Sequence, residues 1–347
     1  MIDYEEIIES LDDNKIKALL DKLQIPYEDR ADYILMPTAC HNEDLDTASW
    51  KLYYYKNTHL FYCYTECGAQ SIFHFLKNFY ETRNIAYDWY NDILQVILDC
   101  STYSFSINED KYKSISDNYA QKKNRNELPT YPNGLMDIFV KYYPVEWIRE
   151  GISTEAMEKF NIRFSPSQNK IIIPHYNING ELVGIRGRAL NEWEIENVGK
   201  YMPVQIENKW YSHPLSLNLY GLNFTKENIR KSGIAYLFEA EKSVLQMESF
   251  KRLNCAAAVC GSKLNKYALD ILIRNCHPTE VVICFDKEEE PHSDRYFCKL
   301  LELARKYNTY ANFSFIYDKE NLLQLKDSPT DKGEEIFNRL LEKRVKV

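Results

Sequence analysis

The sequence predicts an α+β multidomain protein, with a small zinc-ribbon-like β module followed by a core that contains an α/β parallel sheet. Three observations predict it. A close cysteine pair, Cys63 and Cys67, ends an aromatic hairpin-like stretch. A polar, basic segment at about 100–130 has few apolar residues and reads as a solvated tether. From Ile234 onward, short β-branched runs alternate with amphipathic helical runs. The expected organisation is therefore 1–99, a 100–130 linker, 131–233 and 234–347.

The first 25 or so residues read as helix, with Ile16, Leu19, Leu20 and Leu23 at helical spacing and Asp12 and Asp13 as caps. KLYYYKNTHLFYCY reads as two β-prone runs around a polar turn at Lys56, Asn57 and Thr58. QSIFHFLKNFY follows as a helix with Ile72, Phe75, Leu76 and Phe79 on one face. In the tether, Lys122, Lys123 and Arg125 are candidates to touch phosphate in passing, and a solvated linker is the leading reading. NKIIIPHYNINGELVGIRGR reads as a hairpin turning at Asn179-Gly180. Beyond it, IAYLFE, CAAAVC, VVICFD and NFSFIYD are strands, each followed by a helix, which implies a parallel doubly wound sheet.

Composition narrows the function classes. Hydrophobic content of 45% and charged content of 27% fit a soluble globular chain. No apolar run is long enough to span a membrane, and the acidic start MIDYEEIIESLDD is unlike a secretory signal, so the expected compartment is the cytoplasm. A net charge of −8 argues against a uniformly basic nucleic-acid binder but leaves local basic patches open. Nine cysteines without an export signal argue against a disulfide framework. Cys100, Cys255, Cys260, Cys276, Cys284 and Cys298 stand in apolar surroundings and read as core. The 27 tyrosines are either core or stacking platforms for bases.

Two constellations carry chemistry. Cys40 and His41 lie before the aromatic hairpin and Cys63 and Cys67 at its end, which suits a tetrahedral structural zinc site. His59 is a rival for the fourth ligand, and adjacent Cys40 and His41 reach one ion only with some backbone strain. In the sheet, Glu239 and Asp286 stand at the carboxyl ends of two strands, and Glu288 follows two positions later. Ligands of open parallel sheets bind at that edge, and if the strands are neighbours the three acids converge. Oxygen donors of this density suit Mg²⁺ or Mn²⁺. Each acid alone reads more readily as a solvated loop residue, and it is the three together that point to metal.

The stretch CHNEDLDTASWKLYYYKNTHLFYCYTECGAQSIFHFLKNFY resembles the zinc-binding domain of DnaG-type DNA primases of bacteria and phages, on Cys40, His41, Asn42, Glu43, Ser49, Phe61, Tyr62, Cys63, Cys67 and Gly68. It departs from the family in the spacing of both ligand pairs. FEAEKSV and CFDKEEE resemble the family's TOPRIM pattern, with Glu239, Asp286 and Glu288 on the acidic positions. Ala240 and Ser243 replace the family's glycine and a further aspartate. LKDSPTDKG resembles the third acidic segment, with Asp327 the better match and Asp331 the second, and Asp318 is a candidate by position alone. IIIPHYNINGELVGIRGRAL, KYMPV and SLNLYGL resemble the segment before TOPRIM, with Arg188 and Lys200 on basic positions and Arg186 on the same strand face as Arg188.

The resemblance implies that 131–233 is the primase-specific part of an RNA polymerase domain and 234–347 its TOPRIM fold. It implies a nucleotidyltransferase that makes short RNA primers from NTPs on single-stranded DNA. Zinc would be held by Cys40, His41, Cys63 and Cys67, and Mg²⁺ or Mn²⁺ by Glu239, Asp286, Glu288 and Asp327. Arg186, Arg188 and Lys200 would meet nucleic acid or nucleotide, and Tyr53, Tyr55, Phe61 and Tyr64 would be open to base stacking. Because residues alternate on a hairpin, only some of those rings can share a face. There is no P-loop motif, so a replicative helicase would act as a partner in trans. The rival readings are a TOPRIM nuclease and a non-catalytic single-strand-binding protein.

Overall fold

The computed structural model describes residues 4–102, 127–261, 263–288 and 294–347. Lys122, Lys123 and Arg125 lie outside the described residues. The chain forms two compact units, one of residues up to Glu127 with Gly187–Pro214, the other of Leu128–Arg186 with Leu215–Val347. Among the described residues, no helix is long and apolar enough to cross a membrane.

The first unit starts with two helices, Tyr4–Glu9 and Asp13–Lys22. They are separate because Asp12 is extended and its carboxylate caps the second helix, accepting from the Asn14 and Lys15 N–H groups at 3.0 Å. Five antiparallel strands follow in spatial order: β1 (Glu28–Asp29), β2 (Tyr33–Met36), β3 (Leu52–Tyr55), β4 (Leu60–Cys63) and β5 (Gly68–Gln70). Side chains alternate across this sheet. Ile34, Met36, Leu52, Tyr54, Phe61 and Cys63 are buried on one face, and Tyr53, Tyr55 and Tyr62 stand on the other.

The helix Ile72–Thr82, capped by Ser71, packs on the buried face through Ile72, Phe75, Leu76 and Phe79. Phe61 and Phe75 stack with ring centres 4.2 Å apart, so deleting either ring opens a cavity. The return segment adds the helix Glu192–Asn197, and Ala189, Val198 and Met202 join the same core. Trp210 packs there against Trp89 and Tyr90.

After short helices at Asn133–Ile138, Val145–Arg149 and Thr154–Lys159, the second unit continues with β6 (Arg163–Ser165), β7 (Lys170–Tyr176) and β8 (Leu182–Ala189), whose last residues, from Gly187, belong to the segment Gly187–Pro214 that returns to the first unit. The β7–β8 turn needs a left-handed residue, and Gly180 supplies it at φ +85°. Three short strands, β9 (Tyr201–Pro203), β10 (Gln205–Ile206) and β11 (Lys209–Trp210), belong to the return segment. The main sheet is built from β12 (Ile234–Phe238), β13 (Ala256–Ala258), β14 (Glu280–Ile283), β15 (Asn312–Phe315) and β16 (Val345–Lys346). Its order is β13-β12-β14-β15-β16. The first four strands are parallel, as expected from their fully apolar runs, and β16 adds an antiparallel edge.

This order positions a site. The chain leaves β12 toward β13, then crosses back over β12 to β14, so the connections diverge between β12 and β14. Such a switch point leaves a crevice at the strands' carboxyl ends. The pairing Leu237 to Ile283 places Glu239 and Asp286 on the two chains leaving that crevice. Five of the six cysteines read as core are buried, but Cys298, on the helix Asp294–Tyr307, is exposed. An apolar neighbourhood in sequence says nothing about which helix face a residue takes.

Candidate functional site

In the first unit, Cys40, His41, Cys63 and Cys67 come together, with one donor atom of each within 4.8 Å of the others. His41 Nδ1 lies 3.4 Å from Cys40 Sγ, 3.7 Å from Cys63 Sγ and 3.5 Å from Cys67 Sγ. Zinc bonds of about 2.3 Å to sulfur and 2.0–2.1 Å to nitrogen, set tetrahedrally, require an S···N separation of about 3.6 Å. The donors therefore fit that ion. Neither Cys40 nor His41 has a left-handed backbone. The other imidazole nitrogen, Nε2, faces Thr65 Oγ1 at 3.4 Å and Glu66 Oε1 at 3.8 Å, where a carboxylate orients a ligating histidine. His59 is engaged elsewhere, its Nδ1 lying 2.8 Å from Tyr54 Oη.

The wide spacing of Cys63 and Cys67 has a local cause. The chain turns between them and re-enters the sheet at Gly68, which pairs with Cys63 and takes φ +66°. Burial pushes the Cys63 thiol up, but N–H groups of Cys67, Glu66 and Thr65 and the Thr65 hydroxyl bring it below its usual value. Cys40 is held far above the usual thiol range by its hydrogen bond with Cys67, by burial and by its two cysteine neighbours. Three thiolates in so small a space repel one another until a cation joins them.

The solvent face of the same sheet carries tyrosines. Tyr53 and Tyr55 stack at 6.0 Å and 14°, Tyr33 packs on Tyr53 at 5.2 Å, and Tyr64 meets Tyr53 edge-on at 5.2 Å. Tyr62 adjoins Tyr64 at 4.4 Å, and the Tyr55 and Tyr64 hydroxyls are 2.9 Å apart. Phe61 is corrected here. It shares the inward parity of Cys63, is fully buried, and cannot stack on a base.

At the switch point of the second unit, burial pushes the Glu239 carboxyl up to about 8, with Asp286 and Glu288 adding repulsion and Lys299 opposing it. Asp286 and Glu288 thus lie near enough to Glu239 to repel its charge, but the donor atoms of the three acids do not all lie within 4.8 Å of one another. Glu288 also bonds Lys299 Nζ at 2.7 Å. The later acids have their own partners. Asp327 accepts from the Gln324 N–H at 2.8 Å and pairs with Lys332 at 2.9 Å. Asp331 pairs with Lys242 at 2.7 Å and accepts from Gln246 and the Ser328 N–H. Asp318 accepts from Leu322 and Leu323 and from the buried Lys287.

Arg186 donates to Glu241, a residue the sequence did not single out. Glu241 is fully buried and also bonds His175 Nε2 at 3.1 Å. Burial opposes its charge, but Arg186 and His175 together hold it at about 2, so it stays ionised. Cys260 joins His175 and Glu241 in a second group of metal-type donors. No sequence signal pointed to it, because its members come from three separated segments. Arg188 is half-buried and Lys200 exposed, both on the return segment, where the Ala189 N–H donates to the Lys200 carbonyl.

These features define a two-unit α+β protein with a Cys₃His cluster in one unit and carboxylates at a parallel-sheet switch point in the other. The chain belongs to the family of the SPbeta prophage-derived uncharacterized protein YorJ of Bacillus subtilis (strain 168), with which it is 33% identical over 335 residues, spanning 89% of this chain and 88% of YorJ. No family model matches it. Among solved structures it is similar to the zinc-binding and RNA polymerase domains of Aquifex aeolicus primase, with 15% identity, a TM-score of 0.48 and coverage of 99% of this chain and 86% of that one. It is also similar to the E. coli primase catalytic core, with 17% identity, a TM-score of 0.46 and coverage of 62% of this chain and 79% of that one.

Proposed function

We propose that this chain is a DNA primase, a nucleotidyltransferase that makes short RNA primers from NTPs on single-stranded DNA. The observation that carries the reading is the position of Glu239 and Asp286 just past the carboxyl ends of the adjacent parallel strands β12 and β14, with Glu288 acting on the same carboxyl. Crowded carboxylates there raise one another's pKa, and a divalent ion relieves that repulsion. Glu239, Asp286 and Glu288 hold Mg²⁺ or Mn²⁺, with Asp327 entering the set once it leaves Lys332. When bound, the ions supply charge that favours the attacking 3′-oxygen and the leaving pyrophosphate. Arg188 and Lys200 bind template or nucleotide phosphate, whereas Arg186 is engaged by the buried Glu241. Cys40, His41, Cys63 and Cys67 hold a structural zinc that fixes the sheet. Tyr53 and Tyr55, with Tyr33, Tyr62 and Tyr64, offer stacking faces to unpaired bases. The protein works in the bacterial host cytoplasm, with a replicative helicase as a partner in trans.

The test is incorporation of labelled NTPs on single-stranded DNA without added primer, first with Mg²⁺ and then with Mn²⁺. The wild type is expected to give short RNA, and Glu239→Gln and Asp286→Asn none. A second reading, a single-strand-binding protein without catalysis, is favoured by the lysines on Glu288, Asp327 and Asp331 and by Ser243, whose hydroxyl is spent on Ser328 at 2.8 Å. Intact binding with no product on varied templates selects that reading.

A further inference from the structure

We propose that His175, Glu241 and Cys260 form a second metal site, suited to zinc or a similar borderline divalent ion. His175 lies on β7, Glu241 opens the helix Glu241–Ser249, and Cys260 follows β13 by two residues. Their exposures are 1%, 0% and 9%, and their donor atoms lie within 4.8 Å of one another. Imidazole, carboxylate and thiolate are the donors that select zinc over Mg²⁺.

The second observation is an orphan atom. His175 and Arg186 both bond Glu241 Oε1, whereas Oε2 is buried without a hydrogen-bond partner. A buried carboxylate oxygen left in that state is costly, and a cation beside it removes the cost. With Oε2 on the ion, Arg186 on Oε1 becomes the outer partner that fixes the ligand's orientation. Binding breaks the His175 Nε2–Glu241 Oε1 hydrogen bond, with the neutral imidazole's proton on Nδ1, forms bonds from the ion to His175 Nε2, Glu241 Oε2 and Cys260 Sγ, and releases the Cys260 proton to solvent. The carboxylate and thiolate offset the ion's two charges, and Arg186 on the same carboxylate competes with the ion for its charge. This site therefore binds more weakly than the Cys₃His cluster, and three protein ligands leave one coordination position open.

The experiment is metal content per chain, by mass spectrometry after zinc loading and desalting of the full chain, with Co²⁺ loading as a spectroscopic check on thiolate ligation. Wild type is expected to hold two equivalents, and the near-isosteric Cys260→Ser and His175→Asn variants one each, with unchanged circular dichroism. A mild chelator series should remove this equivalent first. A single equivalent in wild type that Cys63→Ser abolishes and Cys260→Ser preserves would overturn the proposal. So would two equivalents in both Cys260→Ser and His175→Asn. A single equivalent lost in Cys260→Ser and kept in Cys63→Ser would uphold this site and remove the metal from the cysteine cluster instead.

Discussion

The cysteine cluster of the first unit and the carboxylate edge of the second solve the same problem, like charges held close together, by opposite means. Cys40, Cys63 and Cys67 have Arg83 nearby, bonded to the Ala39 and Asn42 carbonyls, but joining three thiolates takes a metal ion. The acids near the switch point are instead escorted by lysines: Glu288 by Lys299, Asp318 by Lys287, Asp327 by Lys332 and Asp331 by Lys242. A metal held by the first arrangement would be part of the fold. The second needs no ion to fold, and on the proposed function an ion there would come and go with substrate.

The widest gap between the two should show on chelation. Structural zinc in small modules contributes about 10–16 kcal/mol of binding free energy, so its removal, or Cys63→Ser, should unfold the β1–β5 sheet. Hydrogen exchange should then show lost protection at 52–63 while β12 and β14 stay protected; equal loss in both units would break the contrast. Next in size are the acids. Asp286→Asn or Glu239→Gln should lower primer synthesis on the order of 10²-fold or more without changing the melting temperature by more than a few degrees.

Phe61→Ala sharpens the contrast within the first unit. It should cost about 3–5 kcal/mol by denaturant unfolding, because the ring is stacked on Phe75 in a closed core. Tyr53→Ala, on the opposite face, should leave stability nearly unchanged and weaken single-strand binding by about 1–3 kcal/mol per lost stacking contact, measured by fluorescence anisotropy. If Phe61→Ala acted on binding alone and Tyr53→Ala on folding, the assignment of faces would be wrong.

That assignment shows what could be read in advance. Strand alternation is local, so the parity of Cys63 already decides that Phe61 points inward and Tyr62 outward. The Ser71 cap and the Ile72, Phe75, Leu76 and Phe79 face are equally local. The parallel sheet followed from apolar strands alternating with helices, and the acids followed from where those strands end. What could not be read is what distant segments bring together. The lysine partners, the antiparallel β16 edge and the return of 187–214 to the first unit are of this kind. The buried group of His175, Glu241, Cys260 and Arg186 draws on β7, β8, a helix start and a turn, so no spacing announces it.

A further expected effect is on pH dependence. Glu239 is raised to about 8 by burial and by Asp286 and Glu288, against an ordinary carboxyl value near 4.5. The folded state then holds a proton that the unfolded state has lost between those values. Stability should be full below about 4.5 and decline as pH rises toward 8, with a slope of up to about 1.4 kcal/mol per pH unit. Glu239→Gln should flatten that decline in thermal unfolding scans.

The most direct test of the contrast is calorimetric titration of Mn²⁺ into the zinc-loaded full chain and into its Asp286→Asn and Glu239→Gln variants at pH 8. The carboxylate edge is predicted to bind Mn²⁺ reversibly in the wild type, and both variants to bind at least about tenfold more weakly with the fold unchanged. Equal Mn²⁺ affinity in all three proteins would contradict a metal site at the ends of β12 and β14.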